Sequence, residues 1–252
     1  MPPAKKRPRR YDPAKIRAAV LAQLGQVREA VRDLDSGPVL RLTAAVAASL
    51  AEVGHAVERP AGPRATLTPA GWFLAPGTRP SAPDAPDAPS APDAPAAPLA
   101  DVERSLRGLL DAHPAERLVE TGSGVMTLDD FLVTRLVDLV LCADDLNTSV
   151  PGLDVPLDRQ ALAAATRVLA DALALKAPGG STEVRVPPYA VVQCVEGPRH
   201  TRGTPPNVVE TAPLTWLRLA TGRLTWPDAL ARAEVSASGE RADLSGLLPL
   251  LP

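Results

Sequence analysis

Aromatic residues are scarce in this chain, only 3% of 252 residues. Base stacking and aromatic-cage recognition therefore have few side chains to use, which argues against nucleic-acid binding. Packing must rest on Leu, Val and Ala, and a hydrophobic content of 45% supplies enough apolar surface for ordinary cores. Cysteine is almost absent: Cys142 falls on an expected helix and Cys194 on an expected strand, so both are expected to stay reduced, with no structural disulfide. No unbroken apolar run reaches the roughly 18 residues of a membrane span, and the opening MPPAKKRPRRYDPAK has no signal-peptide core. These absences lead to the expectation of a cytoplasmic protein without a membrane span. Charge of one sign is missing only in total. The net charge of −2 hides Lys5, Lys6, Arg7, Arg9 and Arg10 at one end of a mildly acidic body.

Proline, by contrast, is abundant, with 29 residues. Residues 1–10 read as a disordered basic tail. Asp12 and Pro13 then form an N-cap and first helical residue, and Ile16, Val20, Leu24, Val27, Val31 and Leu34 recur at helical spacing. After an Asp-Ser-Gly-Pro turn, Val39, Leu42, Val46, Leu50, Val53 and Val57 predict a second, antiparallel helix that ends before Pro60. From 60 to 98 the periodicity dissolves, and from Pro80 to Pro98 a proline recurs every third residue. That is the period of polyproline II, so an extended insertion outside the core is expected. A short helix carries Val102, Leu106, Leu109 and Leu110, a Gly122-Ser123-Gly124 turn follows, and a further helix runs from Asp158 to about Lys176 with Gly179-Gly180 as its stop. Residues 11–177 thus read as a helical bundle of four-helix type with a Pro-rich insertion at 60–98. Residues 178–252 change character. Alternation at 182–186 and the run AVVQCV predict one or two strands, Val208 and Val209 another, then helices at about 213–221 and 225–232, a strand near Val235 and a closing helix from Asp243. The fold class is α+β.

The segment from Met126 to Leu146 is the most informative. Thr127 and Asp130 form a capping-box pattern, and the apolar residues surround a single polar stripe of Arg135, Asp138, Cys142 and Asp145. So apolar a helix is normally buried, so its stripe should face a cavity or an internal partner. Arg135, Asp138 and Asp145 are expected to satisfy one another as ion pairs, and Cys142 to be an inert buried thiol rather than a nucleophile.

This helix gives the N-terminal bundle a resemblance to the metal-binding domain of the mycothiol-dependent maleylpyruvate isomerase family. LTWLRLATGRLTWPDALARAEVSASGERADLSGLLPLL resembles the end of a sterol carrier protein domain, with its helix, Thr-Gly-Arg turn, second helix, Ser-Gly-Glu strand end and Leu-rich close. Together they resemble bacterial sterol-carrier family proteins that fuse the two modules. The resemblance implies a divalent metal such as zinc, with mycothiol, held by a Glu and a His four residues apart on one helix face and a second His early in the preceding helix. Here those positions are Asp138, Cys142 and Ala45, and a methyl group binds nothing. His55 faces away from the helix's apolar side, while His113 and His200 lack ligand spacing. The resemblance also offers Arg223, in Thr-Gly-Arg, as the arginine that serves the active site.

Two main readings follow. One is a non-catalytic, sterol-carrier-like protein with a degenerate metal site and no cofactor, which binds an apolar small molecule lined by Trp216, Leu217, Leu219, Leu230 and Leu244, unless these are simply core. The other is a mycothiol-dependent metalloenzyme, an isomerase or thiol transferase, using Asp138 and Cys142. A third, a protein-interaction module built on the basic tail and proline arm, rests on composition alone. In each, residues 178–252 are expected to fold against the bundle, with Arg223 or its neighbours reaching Asp138 and Asp145.

Overall fold

A computed structural model describes residues 8–76, 98–197 and 206–251. Four long helices form the first part: α1 (Pro13–Ala30), α2 (Gly37–Glu58), α5 (Leu128–Ser149) and α6 (Arg159–Lys176). Between them lie the short α3 (Pro69–Trp72), α4 (Leu99–Ala112), and the strands β1 (Leu118–Glu120) and β2 (Val125–Thr127). Caps written in the sequence start three of the long helices: the Asp12 carboxylate accepts from the Lys15 amide, the Thr127 hydroxyl from the Asp130 amide, and Asp158 from the amides of Gln160 and Ala161. α5 is the axis of the bundle. It packs on α1, α2 and α6 and is buried nearly all round, so its polar residues are buried with it. Arg17 pins the end of α4 to the start of α5, donating to the carbonyls of Leu110 and His113 and to Asp129.

The second part holds a four-stranded sheet in the order β4-β3-β5-β6, made of β3 (Thr182–Val186), β4 (Ala190–Cys194), β5 (Val208–Thr211) and β6 (Val235–Ser238). β3 and β5 are parallel and the other pairs antiparallel. α7 (Pro213–Ala220) and α8 (Trp226–Ala231) connect β5 to β6, and α6 packs on both β4 and α7. One contiguous apolar core runs from Val20 and Leu136 to Trp216 and Leu244, joining the helical part to the sheet.

Four expectations are corrected. The first helix stops at Ala30, not at Leu34; the Leu34 amide bonds only to the Val31 carbonyl in a tight turn, and its side chain is exposed. The span 60–76 is no free arm. The Thr68 hydroxyl caps α3, and Trp72 and Phe73 are buried in an edge-to-face pair 5.1 Å apart, because a chain this poor in rings uses these two to cover α5. The proline repeat at 80–98 lies, apart from Pro98, outside the described residues, as do residues 1–7 of the tail expected at 1–10, whose Arg9 instead pairs with Asp171 of α6. The Gly122–Gly124 turn closes a small antiparallel hairpin pairing Val119 with Met126, so Met126 is strand and α5 begins two residues later. The closing segment from Asp243 is a series of turns, since Gly246 and Pro249 interrupt it; Leu244, Leu250 and Leu251 are nonetheless buried. Finally, α2 has the length and composition of a membrane-crossing helix, although no unbroken apolar run announces it; here Val39, Leu42, Val46, Leu50 and Val53 are buried, and the helix packs on α5.

Candidate functional site

The polar stripe of α5 divides into two clusters. In the first, Arg135 and Asp138 lie one turn apart with Nη1 and Oδ2 separated by 3.4 Å, and Ser49 of α2 bridges them. Its hydroxyl donates to Asp138 Oδ2 at 2.6 Å and accepts from Arg135 Nη1 at 3.0 Å. The Arg135 guanidinium sits 4.7 Å from the ring centroids of both Trp72 and Phe131, with Nε donating to the Thr134 hydroxyl. This is cation–π contact with two adjoining rings in a dry setting. Burial pulls the Arg135 pKa down, opposed by Asp138 and then Glu52. Arg135 Nη2 and Asp138 Oδ1 are buried and have no hydrogen-bond partner among the described residues.

One turn further, the Cys142 thiol is buried and donates weakly to the Leu42 carbonyl of α2 at 3.6 Å. Burial, and next the charge of Asp145, push its pKa far above that of a free thiol, so it stays protonated. Such a thiol is neither a ready nucleophile nor a ready ligand. By helical spacing Ala45 lies on the α2 face that carries Leu42 and Ser49, the two residues that meet Cys142 and Asp138 of α5.

The second cluster joins the two parts of the molecule. Arg223, just after Gly222 in the turn that ends α7, clasps Asp145 with Nε 2.9 Å from Oδ1 and Nη2 2.8 Å from Oδ2. Gly222 adopts φ +77°, a conformation a side chain strains, and this turn aims the arginine at α5. Arg218 of α7 makes a second bidentate pair with Asp144, its Nε 2.8 Å from Oδ2. The hydrogen bond to Asp144 raises the Arg218 pKa, whereas burial raises that of Asp145 against the pull of Arg223.

The anticipated stripe is therefore half right. Arg135 does meet Asp138, but Asp145 turns to Arg223, which is paired with Asp145 and not with Asp138. Ser49, Trp72, Phe131, Asp144 and Arg218 were missed. Of these, Arg218 had a signal, since it sits five residues before Arg223 just as Asp144 adjoins Asp145. Of the histidines, His55 is exposed beside Glu52, the carbonyl of His113 accepts from Arg17, and His200 lies outside the described residues. Trp216, Leu217, Leu219 and Leu244 are fully buried members of the contiguous core, while Leu230 is 42% exposed and lines nothing with them.

These residues do not fit a divalent metal. The three positions offer one carboxylate already held by a hydroxyl and facing a guanidinium, one protonated thiol and one methyl group. Among the described residues no group of three His, Cys, Asp or Glu gathers to hold an ion.

The fold and the stripe define an architecture: a helical bundle whose axial helix is clasped by arginines of a small sheet-containing part. Residues 158–250 match the family described as bacterial SCP ortholog. The whole fold is similar to a crystal structure of the mycothiol-dependent maleylpyruvate isomerase, at 13% identity and a TM-score of 0.52, covering 92% of this chain and 95% of that one. A histidine-to-alanine mutant of that enzyme matches with a TM-score of 0.54 over the same shares and at the same identity. At this identity the likeness is one of fold. No curated protein matches the sequence.

Proposed function

We propose that this chain is a non-catalytic, cytoplasmic protein on a sterol-carrier-type frame, its metal site degenerate and its bundle stabilised by an internal cation instead. The single observation that supports the reading is the Ser49–Asp138–Arg135 cluster. A guanidinium in contact with the Trp72 and Phe131 rings supplies beside Asp138 the positive charge that a metal would otherwise bring. The division into a bundle at 11–177 and a sterol-carrier-like domain at 178–252 belongs to the same proposal, as does an apolar small molecule as ligand. That ligand has the family match over residues 158–250 as its support. With Trp216 and Leu244 packed in the core, it would enter only by opening the C-terminal part.

The catalytic half is tested by incubating untagged protein with maleylpyruvate and mycothiol, with and without added zinc. No turnover above the background of free thiol and metal is expected. Turnover that Asp138→Asn abolishes would overturn the reading. The ligand half is tested by titrating long-chain fatty acids while recording tryptophan fluorescence, where a saturable change is expected and its absence removes the apolar ligand.

A further inference from the structure

Away from the stripe, the first turns of α6 and the turn between β3 and β4 flank an open pocket of about 120 Å³, lined by Arg159, Gln160, Ala163, Arg167, Pro188 and Tyr189. Arg159, Ala163 and Arg167 recur every four residues, so they share one face of α6. Ala163, in the middle, is buried, and its methyl group leaves the space between the two guanidiniums open.

Neither arginine has a carboxylate partner among the described residues. Arg167 is nevertheless held in place: its Nε donates to the Tyr189 carbonyl at 3.1 Å, and its guanidinium lies 5.9 Å from the Tyr189 ring centroid, which leaves Nη1 and Nη2 for a ligand. Asp171, one turn beyond Arg167, would neutralise it, but Arg9 already takes both Asp171 oxygens at 2.7 and 3.2 Å. At the other end, Asp158 accepts from the amides of Gln160 and Ala161 at 2.9 and 2.8 Å. The first amides of α6 are thus satisfied, and the positive charge of the pocket comes from side chains, not from the helix end.

We propose that this pocket is an oxyanion site whose ligand is the phosphate group of a phosphate monoester. Two uncompensated guanidiniums call for about two negative charges, which a phosphate monoester carries near neutral pH. The two arginines enter from opposite ends of a span of about 12 Å along the helix. A carboxylate presents its oxygens to one fork, whereas a tetrahedral phosphate directs oxygens at both. The phosphate arrives either on a soluble ester or on a lipid headgroup, and one experiment separates the two.

Full-length protein is titrated with inorganic phosphate at constant ionic strength set by chloride, with amide shifts recorded. In parallel it is sedimented with phosphatidylcholine vesicles with and without phosphatidic acid. Saturable shifts at Ala163 and Tyr189, weakened at least about tenfold in R159Q/R167Q, are the expected result. Phosphate shifts without vesicle binding assign a soluble ester. Sedimentation that depends on phosphatidic acid and is lost in the double variant assigns a headgroup. Absence of both, or binding unchanged in a double variant that keeps its amide dispersion, overturns the site. Should that variant fail to fold, the wild-type map decides, because shifts confined to residues away from the pocket overturn it equally.

Discussion

The two halves of the α5 stripe solve the same problem, a buried carboxylate, in opposite ways. Asp145 is fully clasped: Arg223 reaches both of its oxygens from the sheet-containing part. Asp138 is held by a serine and an arginine of its own helix, with one oxygen unpartnered among the described residues. The first arrangement spends a charge pair on joining two parts of the molecule; the second keeps a charge pair inside the bundle, between α2 and α5. A buried pair stabilises only as well as its remaining polar atoms are satisfied, and only the Asp145 pair meets that condition.

The largest expected effect comes from the clasp. Arg223→Met leaves Asp145 buried without its cation and should cost about 3–5 kcal/mol in denaturant unfolding. If Arg223→Met and wild type unfold at the same denaturant concentration, the two parts are held by the apolar core alone. Arg218→Met, on a side chain one-third exposed, should cost less, about 1–2 kcal/mol.

The Asp138 cluster should behave differently. Arg135→Met alone strands the Asp138 carboxylate and should cost about 3 kcal/mol, but the double substitution Arg135→Met/Asp138→Leu should return to within about 1 kcal/mol of wild type. A double variant as unstable as the single one would mean that the guanidinium stack on Trp72 and Phe131, not charge balance, holds this face.

The smallest effect concerns Cys142. Its thiol is protonated in the folded chain well above the unfolded pKa of about 8.5, so its contribution is complete below that pH and is lost as pH rises. Relative to Cys142→Ala, wild type should lose up to about 1.4 kcal/mol per pH unit above pH 9. Parallel stability curves for the two proteins between pH 8 and 10 would show that the thiol ionises in the folded state.

Much of the fold was legible because its signals are local. Asp12-Pro13, Thr127-Asp130 and Asp158 announce their helices by cap chemistry, and the alternation at 182–186 announces β3. The segment around Trp72 was hidden by proline density: Thr68-Pro69 is a readable helix start, but only tertiary packing shows that Trp72 and Phe73 leave the linker for the core. The closing turns after Asp243 mimic a Leu-rich helix because burial of Leu244, Leu250 and Leu251 needs no regular period. At the site, sequence marked the stripe but not its partners. Ser49, Arg218 and Trp72 lie 86, 83 and 63 residues from Arg135, and no spacing rule spans such separations. Arg223 was found only because a family resemblance pointed to it.

The central claim is that an arginine, and no metal, balances the carboxylate between α2 and α5. Elemental analysis of full-length protein purified without a histidine tag tests it most directly. The expected result is no stoichiometric divalent metal, unchanged in Cys142→Ala; about one zinc per chain, lost in Cys142→Ala, would contradict it.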